Sequence, residues 1–131
     1  EAEFKYNFKE EKSATSEFSE PLKYLYIPNN AVLKAGAFNL ISEKFSLKKL
    51  HPNSHFYTSD EWIENFPGRK LKVETVDSKQ IKKGEKFNII SKNYPLTPEQ
   101  IRKKYKISDG GQSYLIFTQT NRGKIILKSS E

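Results

Sequence analysis

Four cations fall within residues 102–106 of this chain: Arg102, Lys103, Lys104 and Lys106. Such side chains neutralise phosphates and release the counterions condensed on a nucleic acid, which gives salt-sensitive, sequence-tolerant binding. Residues 79–106 hold nine bases (Lys79, Lys82, Lys83, Lys86, Lys92 and those four) against Glu85 and Glu99. That net charge of +7 (9 − 2) equals the net charge of the entire 131-residue chain. Lys48, Lys49, Arg69, Lys70 and Arg122 are candidates for flanking phosphate contacts if the fold brings them to the same face. Tyr94, Tyr105 and Tyr114 are interleaved with the cations, and unpaired bases stack on such rings. Tyr105, four residues after Ile101, fits an apolar core stripe better. A lysine-rich surface that meets only water is the alternative to a polyanion partner.

Other chemistries are poorly served. His51 and His55 are four apart, but Pro52 keeps one helix from carrying both, and the chain has no cysteine. That argues against a metal site. Asp60 reads as a helix cap and Glu61 as a solvated charge, so no carboxylate pair stands ready for acid–base work. No glycine-rich phosphate loop or nucleophile motif occurs. Gly110-Gly111 follows a helix and reads as its stop. We therefore expect no catalytic residue, no metal and no cofactor here.

The elements that position the cations are partly legible. Thr97, Pro98 and Gln100 form a capping box with proline at the first helical position, so a short helix begins there. Ile101 and Tyr105 give it one apolar stripe, and Asp109-Gly110-Gly111 is expected to end it. Upstream, Phe4, Tyr6 and Phe8 alternate with polar residues as in a strand, and 10–20 reads as a polar linker. Tyr24 to Ile27 reads as a strand stopped by Pro28. The apolar spacing from Ala31 to Phe45 predicts one core helix over roughly 30–45, with Gly36 tolerated for a close packing partner. A turn and a short strand around 55–58 follow. Thr58, Ser59 and Asp60 are candidate caps for a short helix through Trp62 and Phe66, with Trp62 a packing anchor. Residues 69–76 and 85–91 read as strands flanking a basic loop over 78–84. Residues 114–118 and 124–127 read as a hairpin closed by Thr120 to Gly123. This order of short helices and mixed strands indicates an α+β fold with helices on one face of a mixed sheet.

Charge is divided along the chain. Residues 1–20 carry six acids and three lysines, whereas the remainder carries ten acids and twenty bases. An acidic end beside a basic body suits a polyanion partner. The lack of cysteine fits a cytoplasmic protein, and no apolar run is long enough to span a membrane. With no methionine even at position 1, the chain is expected to begin inside a longer one.

Two runs resemble a known family. YLYIPNNAVLKAGAFNLISEKFSLKKLHPNSHFYTSD, Tyr24 to Asp60, resembles the ferredoxin-like segment near the C-terminus of certain bacterial class I S-adenosylmethionine-dependent methyltransferase-like proteins. NYPLTPEQIRKKYKISDGGQSYLIFTQTNRGKIIL, Asn93 to Leu127, resembles the THUMP-like domain that follows it there. The resemblance implies three parts: residues 1–20 as a strand and acidic linker from an upstream domain, 21–66 as a ferredoxin-like β-α-β segment, and 67–131 as a THUMP-like β-β-α-β-β segment. It also implies an RNA-binding accessory domain that delivers structured RNA, such as rRNA or tRNA, to an upstream methyltransferase domain in cis. S-adenosylmethionine is then expected in that upstream domain. The alternative is a domain that packs on the catalytic domain or mediates dimerisation without touching nucleic acid.

Overall fold

The computed structural model describes residues 16–129. In order, the elements are β1 (Glu17–Phe18), β2 (Tyr24–Pro28), α1 (Asn30–Ala35), α2 (Phe38–Lys44), β3 (Lys48–Lys49), β4 (Tyr57–Ser59), β5 (Gly68–Val76), a 3-10 turn (Ser78–Gln80), β6 (Lys86–Ser91), α3 (Pro98–Tyr105), β7 (Ser108–Thr120) and β8 (Gly123–Ser129). The strands form one eight-stranded sheet in the order β1-β3-β4-β2-β5-β8-β7-β6. The alternating run at Phe4 to Phe8 lies outside the described residues.

β5 joins the two ends of this sheet. Its residues 68–72 pair antiparallel with β2, and residues 73–76 pair antiparallel with β8. β6 and β7 are parallel neighbours, so α3 lies on the crossover that a parallel pair requires. The register sorts side chains between the two faces. Tyr26 lies opposite Lys70, Val76 opposite Ile126, and Ile126 opposite Phe117, which places these residues on one face. On that face Tyr26 and Tyr57 pack with Val32, Leu40 and Ile41 of α1 and α2, and Phe117 and Ile126 pack with Ile101 of α3. All three α-helices therefore cover the same face, as the sequence indicates. On the other face Leu25, Leu71, Ile116 and Leu127 form a central core, closed by Leu50 and Phe56 from the segment between β3 and β4.

Several local expectations are corrected. The helix expected over 30–45 is two helices. Asn29 caps α1 by accepting from the Val32 amide, and α1 ends at Gly36, whose φ is +70°. The apolar periodicity runs through this break, which is why spacing alone does not reveal it. Gly36 answers to backbone conformation and not to a close partner: a Cβ there would meet nothing within 4 Å. The expected helix through Trp62 does not form. The Tyr26 hydroxyl donates to the Glu61 carbonyl and accepts from the Ile63 amide, while Asp60 accepts from the Lys23 amide. Those polar groups are satisfied by a distant strand instead of by a helical ladder. Trp62 is 49% exposed and is no buried anchor.

Within the expected linker, Glu17–Phe18 forms β1, parallel to β3. The basic loop contains the 3-10 turn, capped by Asp77 and Gln80. α3 starts as the sequence predicts, with the Thr97 hydroxyl accepting from the Gln100 amide at 3.2 Å and Gln100 Oε1 accepting from the Thr97 amide at 2.9 Å. It stops earlier than expected, at Lys106, in the left-handed region with φ +57°. Gly110 and Gly111 belong to β7, where the register with β6 jumps from Phe87–Asp109 to Asn88–Tyr114. The Asn88 side-chain amide ties down this bulge by donating to the Gly111 and Ser113 carbonyls.

Candidate nucleic-acid interface

α3 is fixed by its buried side. Ile101 is fully buried, and Tyr105 packs on Phe117 with ring centroids 5.9 Å apart. At 100° per residue Lys103 lies on the side opposite Ile101, and it is exposed, as are Lys104 and Lys106. These cations sit at the helix C-terminus, where the backbone dipole favours positive charge. Arg102 is partly engaged: its Nη1 lies 3.3 Å from Asp109 Oδ1.

A second segment joins them. Lys82 to Glu85 makes a tight turn in which the Glu85 carboxylate accepts from the Lys82 amide and Gly84 takes φ +90°. The Gly84 amide donates to the Lys106 carbonyl at 2.8 Å, and the Ser108 amide to the Glu85 carbonyl at 3.0 Å. These two bonds clamp the turn to the exit of α3. Exposed Lys82 and Lys83 thus stand beside Lys106. Lys86 lies against Gly110 and Gly111 of the β7 bulge. In the sequence Lys82, Lys83 and Lys86 stand out as charge and not as contacts. The Lys-Lys-Gly-Glu turn was the only local signal, and its clamp to Lys106 is tertiary.

The other expected contacts are dispersed. Lys49 is 4% exposed, and its Nζ donates to the Pro52 carbonyl at 2.9 Å and lies 5.4 Å from the Phe38 ring centre. It is therefore out of reach of a phosphate. Lys48 is exposed beside Glu17 and Glu43 on β3. That is six strand positions from β6, roughly 29 Å at about 4.8 Å per strand. Arg69 and Lys70 are consecutive on β5 and point to opposite faces. Arg69 stacks on Tyr114 and donates to its hydroxyl. Lys70 lies 4.8 Å from the Trp62 ring centre and donates to the Glu64 carbonyl. Arg122 is at the tip of the β7–β8 hairpin, beyond the end of β7 opposite to Lys106. Nor do the tyrosines offer bare rings. Tyr94 packs edge-on against Phe117, burial pushing its phenol above the ordinary range, and Tyr114 is covered by Arg69.

Polar side chains tie the loop after β3 to the opposite half of the sheet. Ser54 accepts from Thr118 and Asn93 and donates to the Gln119 carbonyl, and the Gln119 amide donates to the Asn93 carbonyl. Beside this network His55 stacks on Phe38 at 3.8 Å between ring centres. Burial, with Lys49 and Lys92 nearby, lowers the His55 pKa to about 4. The unfolded chain, whose histidine titrates near 6.5, takes up the proton first as pH falls. The stability this group contributes is thus complete above about pH 6.5 and is lost progressively as pH falls towards about 4. In urea unfolding, His55→Asn is expected to flatten this part of the pH profile relative to the parent chain. An unchanged slope would assign the loss to other groups.

Among the described residues no three His, Asp or Glu side chains are grouped as metal ligands, and no helix is long and apolar enough to cross a membrane. Comparison with known proteins gives two family matches: a ferredoxin-like domain model over residues 24–67 and a THUMP domain-like model over residues 68–129. A similar solved structure is described as a "putative methyltransferase from Porphyromonas gingivalis W83". It is 33% identical, with a TM-score of 0.80 over 96% of this chain. This chain spans about a third (34%) of that protein's length. No curated protein matches. The mixed sheet with its helices on one face agrees with both matches, a ferredoxin-like one over residues 24–67 and a THUMP-like one over residues 68–129.

Proposed function

We propose that this chain is an RNA-binding accessory region serving a methyltransferase domain carried elsewhere in a longer cytoplasmic protein. The observation that carries the reading is the clamp between the Lys82–Glu85 turn and the exit of α3. It sets Lys82, Lys83 and Lys106 side by side, with Lys103 on the same helix end. The one carboxylate inside that turn, Glu85, is occupied by the Lys82 amide. A compact group of mobile ammonium ions on a rigid base suits the phosphates of a folded RNA better than the edges of particular bases. The THUMP-like match and the methyltransferase named among similar structures favour RNA as the polyanion. S-adenosylmethionine would be held by the partner domain, and the substrate would be a structured RNA such as tRNA or rRNA.

Fluorescence anisotropy with a labelled RNA hairpin at increasing salt tests this. Binding is expected in the micromolar range. With about four phosphates neutralised, log K should fall with log salt at a slope of roughly −3 to −4. Absence of binding at low salt would sink the reading. Exposed Trp62, flanked by Asp60, Glu61 and Glu64, favours a second reading, a face that docks on another protein domain. On that reading the same titration is flat.

A further inference from the structure

A cleft of about 430 Å³ opens on the joint between the two halves. Its walls are Ile27, Leu33, Phe38 and His55 from the ferredoxin-like side, and Lys92 and Asn93 from the THUMP-like side. Ligand sites favour such joints, with apolar walls and a few convergent polar groups. Three further observations distinguish this cleft.

First, His55 and Asn93 both hold left-handed backbone, at φ +53° and +57°. Of the four non-glycine residues described in that region, two therefore line one cleft, and residues of this kind gather at ligand sites. Second, its polar groups are oriented and incompletely used. Asn93 Nδ2 is shared between His51 and Ser54, which leaves its Oδ1 without a partner among the described residues. Third, the electrostatics favour an anion with an aromatic body. Lys92 is exposed at the mouth, Lys49 lies close to Phe38, and no carboxylate lines the cleft.

We propose that this cleft holds one unpaired nucleotide of the bound RNA, its base against the apolar wall formed by Ile27, Leu33 and the edge of Phe38 and its phosphate on Lys92. Asn93 Oδ1 would accept from an amino or imino group on the edge of the base. The proposal rests on the RNA-binding reading and assigns to the lysine patch the paired stem from which that nucleotide protrudes.

Two measurements on the whole chain test it. In the first, nucleoside monophosphates are titrated in and followed by amide NMR shifts. The shifts are expected to concentrate at Asn53, His55 and Asn93. In the second, two RNA hairpins that differ only by a single-nucleotide bulge are compared by anisotropy. The bulged hairpin should bind about tenfold more tightly, the increment of one stacked base. Asn93→Gly, which keeps the left-handed backbone and removes the amide, should bring it to the level of the paired hairpin. If both hairpins bind equally and the monophosphates leave those amides unmoved, the cleft proposal is overturned while RNA binding stands. If neither hairpin binds, the RNA-binding reading fails and the proposal falls with it.

Discussion

Gly68→Ala is expected to destabilise this chain by about 3–5 kcal/mol, a large part of what a domain of this size has to lose. The reason is steric. A Cβ at Gly68 would lie 2.1 Å from the Ile27 carbonyl oxygen and 2.9 Å from both Pro28 Cα and Phe66 Cε2. Two of those three atoms are backbone, so no side-chain rotation relieves the contact. The strands cannot easily part either. Gly68 pairs with Pro28, and the Asn29 amide donates to the Pro67 carbonyl at 3.0 Å. Relief means peeling β5 from β2, which opens the layer beneath Tyr26 and Leu25, both fully buried. Thermal unfolding should show a midpoint lower by about 10 °C or more. Gly36→Ala is the control. It has open space around the new methyl group but a φ of +70°, and should cost only about 1 kcal/mol. A Gly68→Ala midpoint within a degree or two of the parent would mean that β2 and β5 do not approach this closely.

Reversing three charges, Lys83→Glu, Lys103→Glu and Lys106→Glu, is expected to weaken RNA binding by about 100-fold or more in moderate salt. All three side chains are exposed. The clamp that organises them uses backbone groups of Gly84, Lys106, Ser108 and Glu85, which the substitutions leave in place. Binding should therefore change while the unfolding midpoint stays close to that of the parent. The salt slope should become shallower by roughly one per lost phosphate contact. Lys48→Glu and Arg122→Glu are informative partners because they sit far from the patch, well over a Debye length of about 10 Å at 0.1 M salt. They should matter far less. If all five reversals weaken binding alike, a diffuse field and not a patch is responsible.

The contrast between these two predictions marks what could be read from residues alone. α3 was legible because its start is written locally: Thr97 and Gln100 satisfy each other's amides within four residues. Its end was misplaced because a lysine, and not the nearby glycines, takes the left-handed position, which frees Gly110 and Gly111 for the bulge. The segment from Asp60 to Phe66 carried helix signals, yet the Tyr26 hydroxyl, from a strand more than thirty residues away, satisfies its backbone. The density of charge over 79–106 was plain in the sequence. Which cations share a surface was not, because Lys49 turns inward to the Pro52 carbonyl, and Lys82 and Lys83 are brought to Lys106 by bonds across twenty residues. The cleft at Asn93 left no sequence signal, since its walls come from five separate stretches of chain.

The boundary between the two family matches falls between residues 67 and 68, at the first residue of β5. Most domain boundaries are linkers, where little is lost by cutting. Here a cut would strip β2 of its neighbour along five residues and leave an open sheet edge on the ferredoxin-like half. The unit recognised by descent and the unit that folds are therefore different. The family matches distinguish two modules, whereas the hydrogen-bond ladder runs unbroken from one into the other. A sheet continuous in this way acts as a fixed bracket and not as a tethered hand: a partner bound at one end would be held at a set distance and angle from the other.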